Sequence, residues 1–212
     1  FDGDADRCFI IDERGEVVDP SVVTAMIAVA ELAKHPGSTI VTNTITSRCV
    51  AEAVEANGGT IAVSKVGHTY VKALMAATGA VFGGEHSAHY YFRDFWSADT
   101  GMLAALHVLE LLRESDRPLS QLAAVYDGYS RSGEINSTVE DAQACIDAVA
   151  QAFSGRGEID LGDGLSVTNA DERWWVNLRP SNTEPLLRLN VEAADDTQMA
   201  SLRDEVLVLV RR

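Results

Sequence analysis

Cysteine is scarce: Cys8, Cys49 and Cys145 are three in 212 residues, far apart and in no C-x-x-C spacing. That excludes a disulfide framework and a thiolate zinc site, and free thiols are expected in a reducing, cytoplasmic compartment. Basic residues are outnumbered, 17 Lys and Arg against 32 Asp and Glu, for a formal net charge of −15. No nucleic acid and no anionic membrane is expected as a partner, because both reward a basic footprint. No apolar run approaches the roughly 18 residues of a membrane span. No initiator Met and no charged-then-apolar leader stands before Phe1. Signal and transit peptides are therefore not expected, and the chain reads as one cut at its N-terminus. What remains is 46% hydrophobic and 23% charged, the balance of core-forming protein rather than disorder. The length suits one large domain or two small ones.

Along the chain, short β-branched runs alternate with helical patterns, and there is no internal repeat. Residues 8–11 and Val17-Val18 flank the turn Glu13-Arg14-Gly15-Glu16, which predicts a strand and hairpin. Pro20-Ser21 opens a helix that Pro36-Gly37 closes. Strands are predicted at 39–42, 60–63 and 80–82, with helices at 47–55 and 68–78 between them. Strands alternating with ten-residue helices indicate βαβ units and a mainly parallel sheet. A helix over 97–112, with Met102, Leu103, Leu106 and Leu109 on one side, is expected to be deeply buried.

The pattern changes after about Asp127. A strand is predicted over 130–139, a helix over 141–153, a polar loop over 155–163, and strands at 165–169, 174–178 and 186–191 before a last helix. The fold class is thus α/β with a mixed, mainly parallel sheet, followed by a separate α+β domain. The boundaries expected are a remnant over 1–18, a domain over 19–125 and a domain over 126–212.

Three loops carry chemistry. In Asp2-Gly3-Asp4-Ala5-Asp6-Arg7 the alternating carboxylates can converge on one hard divalent cation. A calcium EF-hand is the sharpest alternative, with Asp2, Asp4, Asp6 and Glu13 in register. However, Arg7 stands where that loop needs glycine, and an apolar strand follows. A plain acidic turn is the blander alternative, and Arg7 counts against it, since a guanidinium beside a bound cation suits a bridging phosphate.

In Gly83-Gly84-Glu85-His86-Ser87-Ala88-His89, alternation puts Glu85, Ser87 and His89 on one face, fit to hydrogen-bond neighbouring sugar hydroxyls. A capping loop, or a zinc site from Glu85, His86 and His89, are the other readings. Arg179-Pro180-Ser181-Asn182-Thr183-Glu184-Pro185 is a stiffened loop dense in donors that suits a phosphate monoester, with a plain hairpin turn as the alternative. Lys65 and His68 open a helix, where His68 can transfer protons or simply meet solvent. The glycosylation pattern Asn136-Ser137-Thr138 is read as chance, there being no leader.

Together and in this order, DGDADR, GEHSAH and RPSNTEP resemble the metal, sugar and phosphate loops of the α-D-phosphohexomutase family, of phosphomannomutase and phosphoglucomutase type. The resemblance runs over essentially the whole chain. It implies the end of the second of four family domains, all of the third, and a fourth resembling the TATA-binding-protein fold. It implies Mg²⁺ on Asp2, Asp4 and Asp6, Arg7 on the transferring phosphoryl group, and Glu85, Ser87 and His89 on sugar hydroxyls. Arg179, Ser181, Asn182 and Thr183 would grip the idle phosphate, while Lys65 and His68 would orient substrate and assist proton transfer. The implied reaction moves a phosphoryl group between mannose 1-phosphate and mannose 6-phosphate, or the glucose phosphates, through a phosphoserine and a bisphosphate. No serine here sits in a matching context, so that group is expected on N-terminal domains missing from this chain, which alone is expected to be inactive. The competing readings are a non-catalytic sugar-phosphate or divalent-cation binding module and a metal-dependent phosphatase. Against the latter, Asp6 takes the place of its Thr or Val.

Overall fold

A computed structural model describes residues 1–181 and 184–211. The chain divides into two compact units, Phe1–Gly128 and Tyr129–Arg212. Among the described residues no helix is long and apolar enough to cross a membrane.

In the first unit, residues 1–18 run as an irregular strap. The expected strand over 8–11 does not form. The strap pairs only through single bridges, Arg7 with His89 and Ile11 with Val17, because the backbone it lies against at Arg7 is a loop rather than a strand edge. The hairpin within it does form. The buried Asp12 carboxylate accepts from the backbone N–H of Arg14 and Glu16, 2.9 Å each, and Gly15 supplies the left-handed turn at φ 84°.

The strap leads into α1 (Pro20–Lys34), opened by Pro20 and capped by Asp19 on the Ser21 N–H. The elements that follow are β1 (Thr39–Asn43), α2 (Arg48–Ala56) capped by Ser47, β2 (Thr60–Ser64), and α3 (His68–Thr78), which ends on left-handed Gly79. Then come β3 (Phe82–Gly84), β4 (Tyr90–Phe92), β5 (Ala98–Asp99), α4 (Gly101–Glu114) and α5 (Leu119–Ala123). The sheet order is β2-β1-β3-β4-β5. Its β2, β1 and β3 are parallel, while β4 and β5 add antiparallel.

Helices close on both faces of β3, which is why it ends in two glycines. A Cβ on Gly84 would overlap the Thr24 side chain of α1. One on Gly83 would crowd Met75 Sδ (3.1 Å) and Val71 Cγ1 (3.3 Å) of α3.

Two expectations fail here. The helix predicted over 97–112 begins only at Gly101, because Ala98–Asp99 are taken by β5 and Thr100 caps Leu103 N–H at 3.4 Å. Nor is its Met102, Leu106 and Leu109 side deeply buried: those residues are 60%, 52% and 60% exposed. The helix approaches the unit through Gly101, Ala104 and Val108 instead, the small side chains that let the backbones come close.

The second unit comprises β6 (Ser130–Arg131), β7 (Ile135–Thr138), α6 (Ala142–Ala152), β8 (Glu158–Asp160), β9 (Leu165–Asn169), β10 (Trp174–Pro180), β11 (Leu186–Ala193) and α7 (Asp196–Val210). Its antiparallel sheet runs β6-β11-β10-β9-β8, with β7 also on β11. The strand expected over 130–139 is broken at 132–134, where Gly133 is left-handed at φ 65°, and the polar loop expected over 155–163 contains β8. Period-two alternation sorts the sheet. Trp174, Val176, Leu178, Leu187, Leu189 and Val191 join Ile146, Val149, Phe153, Leu202 and Val206 of α6 and α7 in one core. Trp175, Asn177 and Arg179 pair with Glu192, Asn190 and Arg188 across the strands and so share the other face.

Candidate functional site

The Asp-rich loop turns tightly on Ala5, held left-handed at φ 63° while its N–H bonds Asp2 C=O at 3.3 Å. That turn brings the side chains of Asp2, Asp4 and Asp6 together, with one carboxylate oxygen of each within 4.8 Å of the others. Arg7 closes the loop by donating from Nε to Asp2 Oδ2 at 2.6 Å and from its backbone N–H to Oδ1 at 3.3 Å. Desolvation pushes the Asp2 carboxyl up, but the Arg7 hydrogen bonds and charge outweigh it and hold the group below the usual range. Asp6 Oδ1 is buried and accepts no hydrogen bond; Arg7 Nε stands 3.9 Å away. Three converging carboxylates with an unsatisfied buried oxygen fit a hard divalent cation. The EF-hand alternative fails, because the Glu13 carboxylate is taken by the Ser120 N–H and hydroxyl.

This loop is strapped to the one after β3. Arg7 and His89 form an antiparallel bridge, Cys8 N–H donates to Ala88 C=O at 3.2 Å, and Glu85 N–H to His89 C=O at 3.0 Å. His89 thereby faces Asp6, Nε2 to Oδ2 at 3.4 Å. On its other side Ser87 Oγ lies 2.8 Å from Nδ1. Where Ser87 donates to Nδ1, the ring hydrogen sits on Nε2 and points at the Asp6 carboxylate. Asp99 closes a second grouping with Asp6 and His89, and Lys72 Nζ bonds it at 2.7 Å. Burial raises the Asp99 carboxyl, yet the Lys72 hydrogen bond and charge bring it below its ordinary value. Among the described residues Glu85, His86 and His89 do not gather as a metal site.

Glu85 is 2% exposed, and both its oxygens are held by the protein. Oε1 accepts from Asn43 Nδ2 at 2.8 Å and from the Gly67 N–H at 3.3 Å, and Oε2 accepts from the Tyr91 hydroxyl at 2.6 Å. Desolvation, followed by the Glu85 charge, pushes the Tyr91 phenol far above its usual range, so Tyr91 is a fixed donor. Through Gly67 the carboxylate reaches the turn before α3. Lys65 and His68, flanking that turn, keep exposed side chains.

In the second unit, Arg179 is the penultimate residue of β10 and Ser181 follows the strand, its N–H on Leu186 C=O at 2.8 Å. Asn182 and Thr183 lie outside the described residues. Arg179 stands opposite Arg188 across the strands. Glu134 bridges them, Oε2 accepting from Arg179 Nη2 at 3.2 Å and Oε1 from Arg188 Nη1 at 2.9 Å. Arg188 Nη2 also donates to Ser181 Oγ at 3.3 Å. The Nε of both arginines is buried without a hydrogen-bond partner. Paired guanidiniums with spare donors beside a serine have the chemistry to hold an anion.

The sequence reading gave no site role to Asn43, Lys72, Tyr91, Asp99, Glu134 or Arg188. Arg188 left a trace, a lone charge inside the apolar run of residues 186–191. The others are joined to the site only by tertiary packing.

Comparison with known proteins places the chain in a family. Residues 19–129 match the family described as phosphoglucomutase/phosphomannomutase, alpha/beta/alpha domain III, and residues 134–208 match its C-terminal domain. The phosphomannomutase of Escherichia coli (strain K12) is 42% identical over 212 residues, covering 98% of this chain and 46% of that protein. That of Methanocaldococcus jannaschii is 38% identical over 212 residues, covering 100% and 46%. A crystal structure of a phosphoglucomutase/phosphomannomutase family protein from Burkholderia thailandensis superimposes with a TM-score of 0.86 at 29% identity, covering 100% of this chain and 46% of that one. The chain thus spans about half the length of the curated relatives it matches. With both domain matches in sequence order and relatives near two-fifths identity along its whole length, the chain belongs to the phosphoglucomutase/phosphomannomutase family.

Proposed function

We propose that this chain supplies the metal, sugar and idle-phosphate contacts of a phosphohexose mutase acting between mannose 1-phosphate and mannose 6-phosphate, with glucose phosphates as the neighbouring choice. The observation that carries the reading is the strap between the Asp-rich loop and the 85–89 loop, which sets Asp6 3.4 Å from His89. A cation-binding carboxylate and a hydroxyl-binding imidazole are thereby held at one place, as transfer of a phosphoryl group to a sugar oxygen requires.

In this reading a free hydroxyl of the hexose phosphate attacks the phosphorus of a phosphoserine carried outside this chain. The new O–P bond forms as the serine O–P bond breaks, the hydroxyl proton passes to a base, and the serine oxygen leaves. The bisphosphate then turns over, and its other phosphoryl group returns to the serine. Asp2, Asp4 and Asp6 would hold Mg²⁺, which when bound supplies charge neutralisation at the reacting phosphoryl group. Arg7, already aligned by Asp2, offers its guanidinium to the same oxygens. Ser87 and His89 take sugar hydroxyls. Glu85 contributes from its buried position, fixing the loop through Asn43, Gly67 and Tyr91, with Oε2 3.8 Å from His89 Nδ1. His68 accepts the hydroxyl proton, and Lys65 orients the substrate. Arg179, Ser181, Asn182 and Thr183, joined by Arg188, hold the phosphate that does not react. Remote binding of that idle end serves the reacting end by fixing its position.

The test is a pair of measurements on the 212-residue chain. With mannose 1-phosphate and Mg²⁺ it should show no turnover, and turnover would remove the need for an external phosphoserine. Calorimetry should show hexose phosphate binding that Arg179→Ala weakens by at least about tenfold, the loss of one charged contact. Unchanged affinity would end the anchor assignment.

A further inference from the structure

Arg179 and Arg188 already share one carboxylate before any substrate arrives. Glu134 reaches both, one oxygen to each guanidinium at 3.2 and 2.9 Å. Its place follows from the break between β6 and β7. Ser132 keeps the strand in register, donating its N–H to Val191 C=O and accepting the Val191 N–H on Oγ, both at 2.9 Å. Left-handed Gly133 then turns the chain, so that Glu134 stands over the Arg179–Arg188 pair. Glu184 adds a more distant carboxylate, 3.9 Å from Arg188. Arg179 has a 10% exposed side chain, and its Nε has no partner. A buried guanidinium left unpaired is costly, so the empty site needs an anion of its own.

We propose that Glu134 is that anion, a built-in competitor that occupies the place of the substrate's idle phosphate and yields it on binding. This rests on the anchor reading of Arg179. A planar carboxylate and a tetrahedral phosphate monoester can each offer two anionic oxygens to paired guanidiniums, and Glu134 is the one that can leave. Its side chain is 27% exposed and sits on a three-residue turn, whereas both arginines are fixed in paired strands. An internal competitor lowers the affinity for every anion by a common factor and supplies a replacement partner when the phosphate departs. In a mutase each end of the bisphosphate must visit the anchor and leave it, so a site that binds too tightly would stall the exchange. Glu134 sets the anchor's strength; it does not touch the reacting atoms.

The experiment measures the binding of inorganic phosphate and of glucose 6-phosphate to the 212-residue chain and to its Glu134→Gln, Glu134→Ala and Arg179→Ala variants, by calorimetry and stopped-flow dissociation. Far-ultraviolet circular dichroism checks that each variant folds. Glu134→Gln and Glu134→Ala should bind both ligands about three- to tenfold more tightly, the site no longer being occupied when it is empty of ligand, while Arg179→Ala loses binding. If the two Glu134 variants bind as the parent does or more weakly, while Arg179→Ala still loses binding, the anchor stands and the competitor is overturned, Glu134 then serving only to hold the arginines. If Arg179→Ala binds like the parent, the anchor reading itself fails.

Discussion

The Tyr91 hydroxyl donates to Glu85 Oε2 at 2.6 Å from the strand immediately after the loop it steadies. The bond is buried, and its acceptor is a carboxylate whose other oxygen holds Asn43 and Gly67. Tyr91→Phe should therefore destabilise the first unit by about 1–3 kcal/mol, the cost of a lost hydrogen bond to a buried charge. Urea unfolding followed by tryptophan fluorescence, with amide exchange at Gly67, measures it. A loss below about 0.5 kcal/mol, no more than a surface substitution gives, with Gly67 equally protected, would show that Glu85 does not depend on this donor.

Gly84 lies directly under α1, where an added Cβ would overlap Thr24. Gly84→Ala should cost about 1–3 kcal/mol by overpacking. Removing the obstacle with Thr24→Ala should recover part of that loss, so the double variant should be more stable than the sum of the singles predicts. Strict additivity would mean that the two residues do not share the contact.

His107 lies on α4, stacked on Phe92 at 5.1 Å and 7°, with Nε2 3.7 Å from Glu31. Burial, aided by Lys34, pushes its pKa below the ordinary 6.5, against Glu31 and Glu110, which favour the charged ring. Between that folded value and 6.5 the unfolded chain takes up a proton that the folded chain refuses. Stability should thus fall as the pH drops from 6.5, level off below the folded value, and show no His107 slope above 6.5. His107→Phe keeps a stacked ring and should remove this component from the pH dependence of urea unfolding. An unchanged slope would assign it to other groups.

If Asp2, Asp4 and Asp6 bind a cation when folded, Mg²⁺ must stabilise the fold by mass action, by about 2.7 kcal/mol at one hundred times its dissociation constant. Thermal unfolding with and without Mg²⁺ reads this directly. Asp4→Asn together with Asp6→Asn should abolish the increment, and an increment that survives the pair would place the cation elsewhere.

What the sequence made legible follows from how local each signal is. Start residues and glycine stops marked α1, α2 and α3 to within a residue or two, because Pro20, Ser47 and Gly79 act on their own turns. The Asp-rich loop was equally visible, its convergence needing only a tight turn. The short antiparallel pieces were not. Tyr90–Phe92, Ala98–Asp99 and Glu158–Asp160 are two or three residues long, and what makes them strands is the neighbour they pair with rather than any period of their own. The exposed side of α4 misled for a related reason. Apolar content alone does not tell which face of a helix packs, and here Gly101 and Ala104 made the contact while Leu106 and Leu109 did not. Asn43, Glu134 and Arg188 meet their partners only through long-range contacts, which single-residue chemistry cannot announce, whereas Tyr91 lies six residues from Glu85 in the strand after the loop.

Two alanines, Ala5 and Ala88, adopt a left-handed conformation that glycine takes more cheaply. Ala88 does so while its carbonyl accepts the Cys8 N–H and its own N–H reaches Glu85 C=O at 3.1 Å. The tie between the two loops is accordingly written in peptide groups, which truncating side chains one at a time leaves untouched. An alanine scan would therefore report these two positions as silent by construction. Replacing the amide at Cys8 or Ala88 with an ester would expose how much of the geometry of these two loops the main chain alone maintains.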